Sequence, residues 1–219
     1  MNTKVFRNLS YGVYVVSSLD QERNTGCIAN SIMQITSSPA TIAVSMNHDN
    51  YTNSCITSTG MFAVSILSEE SDSSLIGRFG FQSGKDVNKF DGVDYSVKEG
   101  LPIVNDSCGY IVCRVIDKME TSTHTVFLGE VIDCDTIGTA PAMTYAYYHK
   151  VVKGKSPKNA PTYLPEEDAA NDIPNDSSTK KWTCSICGYV YDGDIPFEEL
   201  PQDYTCPICK QGKEKFKAL

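Results

Sequence analysis

The sequence predicts a mainly β protein with a few helices, followed by a small metal-binding segment. Short apolar runs of strand length recur through residues 1–160, and two Cys-x-x-C pairs lie near the end of the chain. Few helical patterns separate these runs, which favours an antiparallel barrel over a doubly wound sheet. The chain has no G-x-G-x-x-G or Walker pattern, which argues against a dinucleotide-binding α/β domain.

The predicted elements follow in order along the first 160 residues. Two helices are predicted at 50–58 and 72–79. In the run 41–46, Ile42, Val44 and Met46 alternate with smaller or polar residues, as in a strand with one buried face. Strands are predicted at residues 11–17, 27–35, 41–46, 61–67, 110–116 and 125–134.

Composition divides the chain into three regions. Residues 1–160 are predicted to form one domain. Residues 161–179 contain five acidic and no basic side chains, three prolines and a run of Asn, Asp and Ser, which is typical of an extended linker. Residues 180–219 carry six acidic and six basic side chains and are predicted to form the metal module.

Charge and cysteine usage narrow the function classes. The net charge of −8 argues against nucleic acid or an anionic membrane as the main partner. The sequence has neither an apolar run of membrane-spanning length nor a signal-peptide core at its start. The cysteines outside the two pairs have no framework spacing, so we predict reduced thiols in a cytoplasmic protein. These are Cys27, Cys55, Cys108, Cys113 and Cys134.

The two Cys-x-x-C pairs predict a metal centre. Cys184 and Cys187 are separated by 18 residues from Cys206 and Cys209. Four thiolates at this spacing can surround one ion tetrahedrally, and so short a segment depends on that ion for its stability. The nearby aromatic residues are sufficient for a small core around the site. They are Trp182, Tyr189, Tyr191, Phe197, Tyr204 and Phe216. Spacing alone does not separate iron from zinc, so a structural zinc ribbon stays open.

A second candidate site follows the strand at 41–46. Asn50 is a plausible N-cap, and the free N–H groups after it can bind an anion with help from the helix dipole. Ser45 and Thr52 can add hydroxyl donors. The same pattern also suits an ordinary capped helix.

Sequence blocks along the chain carry two family resemblances. Six blocks occur in order: 24–31 (NTGCIANS), 45–47 (SMN), 50–52 (NYT), 77–86 (GRFGFQSGKD), 124–131 (HTVFLGEV) and 145–150 (YAYYHK). Through these blocks and their order, residues 1–160 resemble the flavin reductase-like family of split-barrel FMN-binding proteins. The last 40 or so residues resemble rubredoxin, which favours iron at the four cysteines. In this pattern Gly188 follows the first pair, but Lys210 stands where rubredoxins usually carry a second glycine. The order of the two domains is similar to that of the high-molecular-weight rubredoxins of anaerobes.

The flavin reductase resemblance implies the cofactor contacts. It places Thr25, Asn30 and Ser31 along the isoalloxazine ring of FMN. A further set would hold the ribityl chain and phosphate: Ser45, Asn47, Asn50, Tyr51 and Thr52. Ser83 and Lys85 would reach the phosphate or cover the ring. His124 is a possible catalytic residue near the flavin or nicotinamide, and a structural role for it is equally open. The family is typically a homodimer with FMN near the subunit interface.

The resemblances together imply an electron-transfer flavoprotein. NADH or NADPH would deliver a hydride to FMN, and electrons would pass singly to iron and then to an external acceptor such as a flavodiiron protein that reduces nitric oxide or oxygen. A partner reductase could replace the nucleotide as donor. Two other classes stay open: a flavin reductase that supplies reduced FMN to a monooxygenase, and a binding protein with FMN and a zinc ribbon.

Overall fold

The first part of the chain is built on one seven-stranded antiparallel sheet, in a computed structural model that describes residues 2–152 and 181–218. The strands are β1 (Tyr14–Asp20), β2 (Arg23–Ala29), β3 (Ile32–Ser37), β4 (Ala40–Asn47), β5 (Met61–Ile66), β8 (Gly109–Glu120) and β9 (His124–Thr136). Their order across the sheet is β2-β1-β5-β8-β9-β4-β3.

The connection between β2 and β3 shows that this sheet curls into a split barrel. These two strands are the opposite edges of the sheet, yet only Asn30 and Ser31 separate them in sequence. From Ala29 to Ile32 the chain can span about 10 Å at most, so the two edges lie close together at this point without pairing. The predicted antiparallel barrel is confirmed. The predicted single strand at 27–35 is wrong, because the chain leaves one edge at Ala29 and enters the other at Ile32.

The barrel interior is filled by apolar side chains from both halves of the sheet. On β4, the predicted inward residues Ile42, Val44 and Met46 are at most 6% exposed. The fully buried Phe62 ring lies against Gly129, where an added Cβ would come within 2.7 Å of the ring. This packed interior fixes the strand ends that carry the polar residues described below.

Two helices pack against the barrel, and Ile56 of the first belongs to the same buried cluster as Val44 and Phe62. α1 (Tyr51–Thr59) begins at its N-cap Asn50 and ends at Gly60, whose φ of 67° is left-handed. α2 is Ser74–Phe81. Both lie within two residues of the predicted helices. A short β6–β7 hairpin (Tyr95–Lys98 and Leu101–Val104) and helical turns at Thr3–Asn8, Tyr145–Tyr147 and Tyr148–Val152 were not predicted.

The metal module is small and has little regular structure. A two-stranded sheet pairs β10 (Trp182–Cys184) with β11 (Phe216–Ala218), and single helical turns occupy Phe197–Glu199 and Lys213–Lys215. The predicted linker at 161–179 lies outside the described residues. Within residues 2–152 and 181–218, no helix combines the length and apolarity needed to cross a bilayer.

Candidate functional site

The four predicted metal ligands meet in the interior of the module. Their sulfur atoms all lie within 4.8 Å of one another, and each cysteine is at most 7% exposed. The Sγ–Sγ distances are 3.6 Å for Cys184 and Cys209 and 3.5 Å for Cys187 and Cys206. Four sulfurs at about 2.3 Å from one tetrahedral ion would lie about 3.8 Å apart. The cysteines are free thiols, so the donor set suits a tetrahedral iron or zinc ion.

The two metal-binding turns have the same backbone geometry. In the first, Gly188 has a φ of 73° and its N–H donates to the Cys184 carbonyl at 2.8 Å. In the second, Lys210 has a φ of 57° and its N–H donates to the Cys206 carbonyl at 2.9 Å. Lys210 therefore adopts the left-handed conformation of the expected glycine, and the geometry of the second turn is preserved.

The electrostatics of the sulfur cluster favour thiolate at Cys206. Hydrogen bonding from the Cys187 thiol, and then from the backbone N–H groups of Cys209 and Ile208, lowers the pKa of Cys206 to about 5. Burial is the main cause that raises the pKa of Cys209, to about 12. A bound cation offsets part of the negative charge of four thiolates, so metal binding and thiolate formation are coupled.

Aromatic rings form a wall around the sulfur cluster, as predicted. Phe197 lies at its centre, with ring centroids 4.7 Å from both Trp182 and Phe216. Tyr191 and Tyr204 contact Phe197 edge-on at 5.3 and 5.8 Å. This wall excludes water from the sulfur atoms and forms one apolar cluster with the four cysteines.

The second candidate site begins at the split of the barrel. The Ser31 hydroxyl donates to Asn30 Oδ1 at 3.0 Å, and Asn30 is 5% exposed. The Ser31 carbonyl accepts from the Ser45 N–H at 3.0 Å. This bond continues the ladder between β3 and β4, so strand pairing brings three of the predicted flavin contacts together.

The N-terminus of α1 adds a second group. The Asn50 side chain accepts from the Thr52 N–H at 2.9 Å. The Asn47 side chain accepts from the Asp49 N–H at 2.8 Å, and the Asn47 carbonyl accepts from the Asn50 N–H at 3.1 Å. Thr52 is 1% exposed. The polar atoms at the start of this helix are therefore held in fixed positions, next to N–H groups suited to an anion.

The loop after α2 closes over a third group. Gly84 lies against Thr25 and Tyr51: an added Cβ would contact Thr25 Oγ1 and would lie 3.1 Å from a Tyr51 ring carbon. The Lys85 ammonium lies 5.7 Å from the Tyr51 ring centroid, and Ser83 Oγ accepts from the Lys85 N–H. The loop therefore places Ser83 and Lys85 beside the predicted contacts Thr25 and Tyr51.

Thr25 provides a test of whether a ligand fits here. Its side chain is 1% exposed, and its hydroxyl has no hydrogen-bond partner among the described residues. A buried hydroxyl is normally paired, so the unpaired Thr25 hydroxyl is consistent with a bound polar molecule as its partner, such as the polar edge of a flavin.

His124 is placed beside this site by strand pairing. It begins β9 opposite Asn47 on β4, and its Nδ1 lies 2.8 Å from the Thr123 hydroxyl. His124 is therefore the strand partner of Asn47, one of the residues predicted to hold the ribityl chain and phosphate.

Sequence reasoning missed Lys89. This lysine is 1% exposed, its ammonium donates to the Arg78 carbonyl, and it lies 5.6 Å from the Phe79 ring centroid. Burial lowers the pKa of Lys89 to about 8. Burial raises the pKa of the Cys27 thiol, and the Thr52 side chain, the Lys89 charge and the Asn50 side chain act against this rise. No spacing marks this lysine in the sequence, since buried lysines have no pattern of their own.

Comparisons with known protein families match both parts of the chain. The model described as "Flavin reductase like domain" matches residues 6–156. The model described as "Rubrerythrin, rubredoxin-like domain" matches residues 182–217, which contain the sulfur cluster.

Two relatives and one solved structure extend these matches. The chain is 39% identical to the high molecular weight rubredoxin of Moorella thermoacetica, over 100% of both chains. It is 40% identical to the ferric-chelate reductase (NAD(P)H) of Archaeoglobus fulgidus, over 75% of this chain and 98% of that protein. The NADH:FAD oxidoreductase of Streptomyces globisporus superposes with a TM-score of 0.59 at 27% identity, covering 64% of this chain and 84% of that one.

Proposed function

Because the chain belongs to the flavin reductase-like family and continues into a rubredoxin-like domain, we propose that it is an FMN-dependent NAD(P)H oxidoreductase that passes electrons from its flavin to its own iron centre. The observation that carries this proposal is the presence of both sites on one chain: a buried four-cysteine cluster, and a barrel split where the buried Thr25 hydroxyl has no partner among the described residues. The full-length similarity to a high molecular weight rubredoxin supports it.

The polar groups at the barrel split have separate tasks in this proposal. Thr25, with Asn30 and Ser31, orients the ring edge, because the Thr25 hydroxyl gains its missing partner there. Asn50 and Thr52 fix the start of α1, whose N–H groups favour a phosphate. The flavin, when bound, supplies the exchange between two-electron and one-electron chemistry.

Lys89 places a buried positive charge beside the Phe79 ring and near Cys27, whose thiol interacts with the Thr52 and Asn50 side chains at the start of α1. A cation in a low-dielectric site stabilises an anion far more than a cation in water does. We assign to Lys89 the role of favouring the negative charge that a reduced flavin or its phosphate brings.

The four cysteines would hold one iron ion, which supplies one-electron transfer when bound. The chain contributes the thiolates, the backbone N–H groups that point toward them, and the aromatic wall that keeps water away. The two left-handed turns fix the sulfurs in advance, so little rearrangement accompanies a change of charge at the centre.

The proposal also includes the electron donor, the electron acceptor and the oligomeric state of the protein. The relative whose name includes NAD(P)H supports a nicotinamide nucleotide as donor. We propose a flavodiiron-type protein as the acceptor and a homodimer as the assembly. Exposed apolar side chains on β3 and β8 support a subunit interface: Met33, Ile35, Ile116 and Met119 are each at least 45% exposed.

The test is anaerobic mixing of the iron- and FMN-loaded protein with NADH or NADPH, with flavin and iron absorbance followed separately. The proposal predicts flavin bleaching followed by iron bleaching. In Cys206→Ser the flavin phase should persist and the iron phase should be absent. Iron that stays oxidised in the wild-type protein while its flavin is reduced would contradict the proposal.

A flavin reductase that serves a separate monooxygenase is the second candidate, favoured by the similarity of the barrel to free-standing reductases such as the Streptomyces enzyme. Gel filtration separates the two. Flavin that elutes with the protein supports internal electron transfer. Reduced flavin that elutes separately, as a free small molecule, supports the second candidate.

A further inference from the structure

The second metal-binding turn lies directly on helix α2 of the barrel domain. Gly77, in the middle of this helix, faces the backbone of Ile208 and Cys209. An added Cβ at Gly77 would lie 2.7 Å from Cys209 Cα and would also contact the Ile208 carbonyl oxygen. Both obstacles are backbone atoms, which cannot rotate away as a side chain can. The absence of a side chain at Gly77 therefore permits this close approach.

The first turn of α2 makes a polar contact with the same segment. Ser73 is the N-cap of α2, but its side chain makes no capping hydrogen bond to the helix. Its hydroxyl instead donates to the Pro207 carbonyl at 3.2 Å. The Asp72 side chain accepts from the Ser74 N–H at 2.8 Å and so caps the start of α2, which leaves the Ser73 hydroxyl to contact the module.

Lys210 contributes a positive charge on the module side of this contact. It lines a cleft of about 380 Å³ between the module and the barrel domain. Three carboxylates on the barrel side line the same cleft, from Asp72, Asp94 and Asp106, together with one cation, Arg78. Lys210 also holds a left-handed φ of 57°, which glycine adopts more easily, as Gly188 does in the first turn. The metal geometry does not require a lysine here, whereas its positive charge is attracted to the three carboxylates of the cleft, Asp72 among them.

We propose that this surface of the barrel domain is a docking site for the chain's own metal module. The second metal-binding turn binds there: the Ile208–Cys209 backbone packs against Gly77, and Lys210 supplies the charged contact. The partly open cleft and the small number of polar contacts suit a site that the module can leave and re-enter. Docking brings the ligand Cys209 against the barrel domain, so electrons would enter the centre from this side. This last point rests on the proposed function, whereas the docking itself does not.

The experiment uses the full chain loaded with zinc in place of iron and with FMN. Trp182 is the only tryptophan and belongs to the module, so quenching of its fluorescence by the flavin reports docking. Small-angle X-ray scattering on the same samples reports docking independently of flavin. We expect Gly77→Ala to lose quenching and to increase the radius of gyration. Gly80→Ala is the matched control on the same helix, because its added Cβ would meet only ordinary contacts, the nearest being Ile28 at 3.5 Å.

A second variant keeps the test independent of helix packing. Lys210→Gly relieves the left-handed strain and should leave zinc binding intact, yet it should lose quenching at low salt. The difference from wild type should disappear near 1 M salt, where the screening length falls to about 3 Å. Lys217→Gln, which removes a charge outside the cleft, is the control and should behave as wild type.

Two results would overturn the proposal. One is unchanged quenching and scattering in both Gly77→Ala and Lys210→Gly. The other is wild-type quenching that falls on dilution, which would mean that the module docks on a second copy. Failure of the protein to bind FMN would contradict the proposed function, and scattering would still decide the docking.

Discussion

Substitution of Thr25 by valine should change flavin affinity and apoprotein stability in opposite directions. The Thr25 hydroxyl is buried and has no partner among the described residues. An unsatisfied buried hydroxyl costs about 1–3 kcal/mol. Valine has nearly the same shape and removes this penalty, so we expect the free energy of unfolding of the apoprotein to rise by about 1–2 kcal/mol. Because bound flavin relieves the same penalty in the wild-type protein, affinity should fall by about 5–30-fold in Thr25→Val.

Urea unfolding of apoprotein and flavin-saturated protein, with a fluorescence titration of FMN, measures both quantities. The gain in apoprotein stability should be close to the loss in binding free energy. The control is Thr41→Val, since Thr41 Oγ1 is paired with Thr36 Oγ1 at 2.6 Å. That variant should lose stability and keep its affinity. If Thr25→Val destabilises the apoprotein, or binds FMN as tightly as wild type, the assignment of Thr25 to the flavin is wrong.

Three further predictions concern the metal centre, the helix N-terminus and the buried lysine. Cys206→Ser should lose the iron spectrum and retain FMN, and loss of both cofactors would show that the two sites depend on each other. Asn50→Ala combined with Thr52→Ala should lower the affinity for FMN by about tenfold. The affinity for riboflavin, which lacks the phosphate, should not change. Equal losses of affinity for the two ligands would mean that the phosphate binds elsewhere. Burial lowers the pKa of Lys89 from an ordinary value of 10.5 to about 8. Between these two pH values the unfolded chain therefore binds more protons than the folded chain. The free energy of unfolding should rise with pH over this range, by up to about 3 kcal/mol. Lys89→Met should lack this rise in urea unfolding at pH 8 to 10.5, and equal pH dependence in both proteins would contradict the assignment.

The fold was predictable where the apolar pattern was local. The strand at 41–46 and the helix after Asn50 follow from alternation and capping, and the structure has them at Ala40–Asn47 and Tyr51–Thr59. The run at 27–35 was misread because its apolar content continues across Asn30 and Ser31. Only the pairing of distant strands shows that these two residues carry the chain from one sheet edge to the other.

The sites were predictable to different degrees for a similar reason. Four cysteines in two short turns define their own geometry, so their positions follow from spacing. Lys89 gives no such signal, because its burial depends on how the chain after α2 returns to the barrel. Lys210 was visible only as a departure from the rubredoxin pattern. Its acidic surroundings come from residues more than 100 positions earlier in the chain.

The exchange of electrons between flavin and iron within one chain is the central claim, and anaerobic stopped-flow reduction at several protein concentrations tests it most directly. With both cofactors bound, one equivalent of NADH or NADPH should bleach the flavin first and the iron second, and the rate of the iron phase should not depend on protein concentration. An iron phase that is absent, or whose rate rises in proportion to protein concentration, would contradict transfer within the chain.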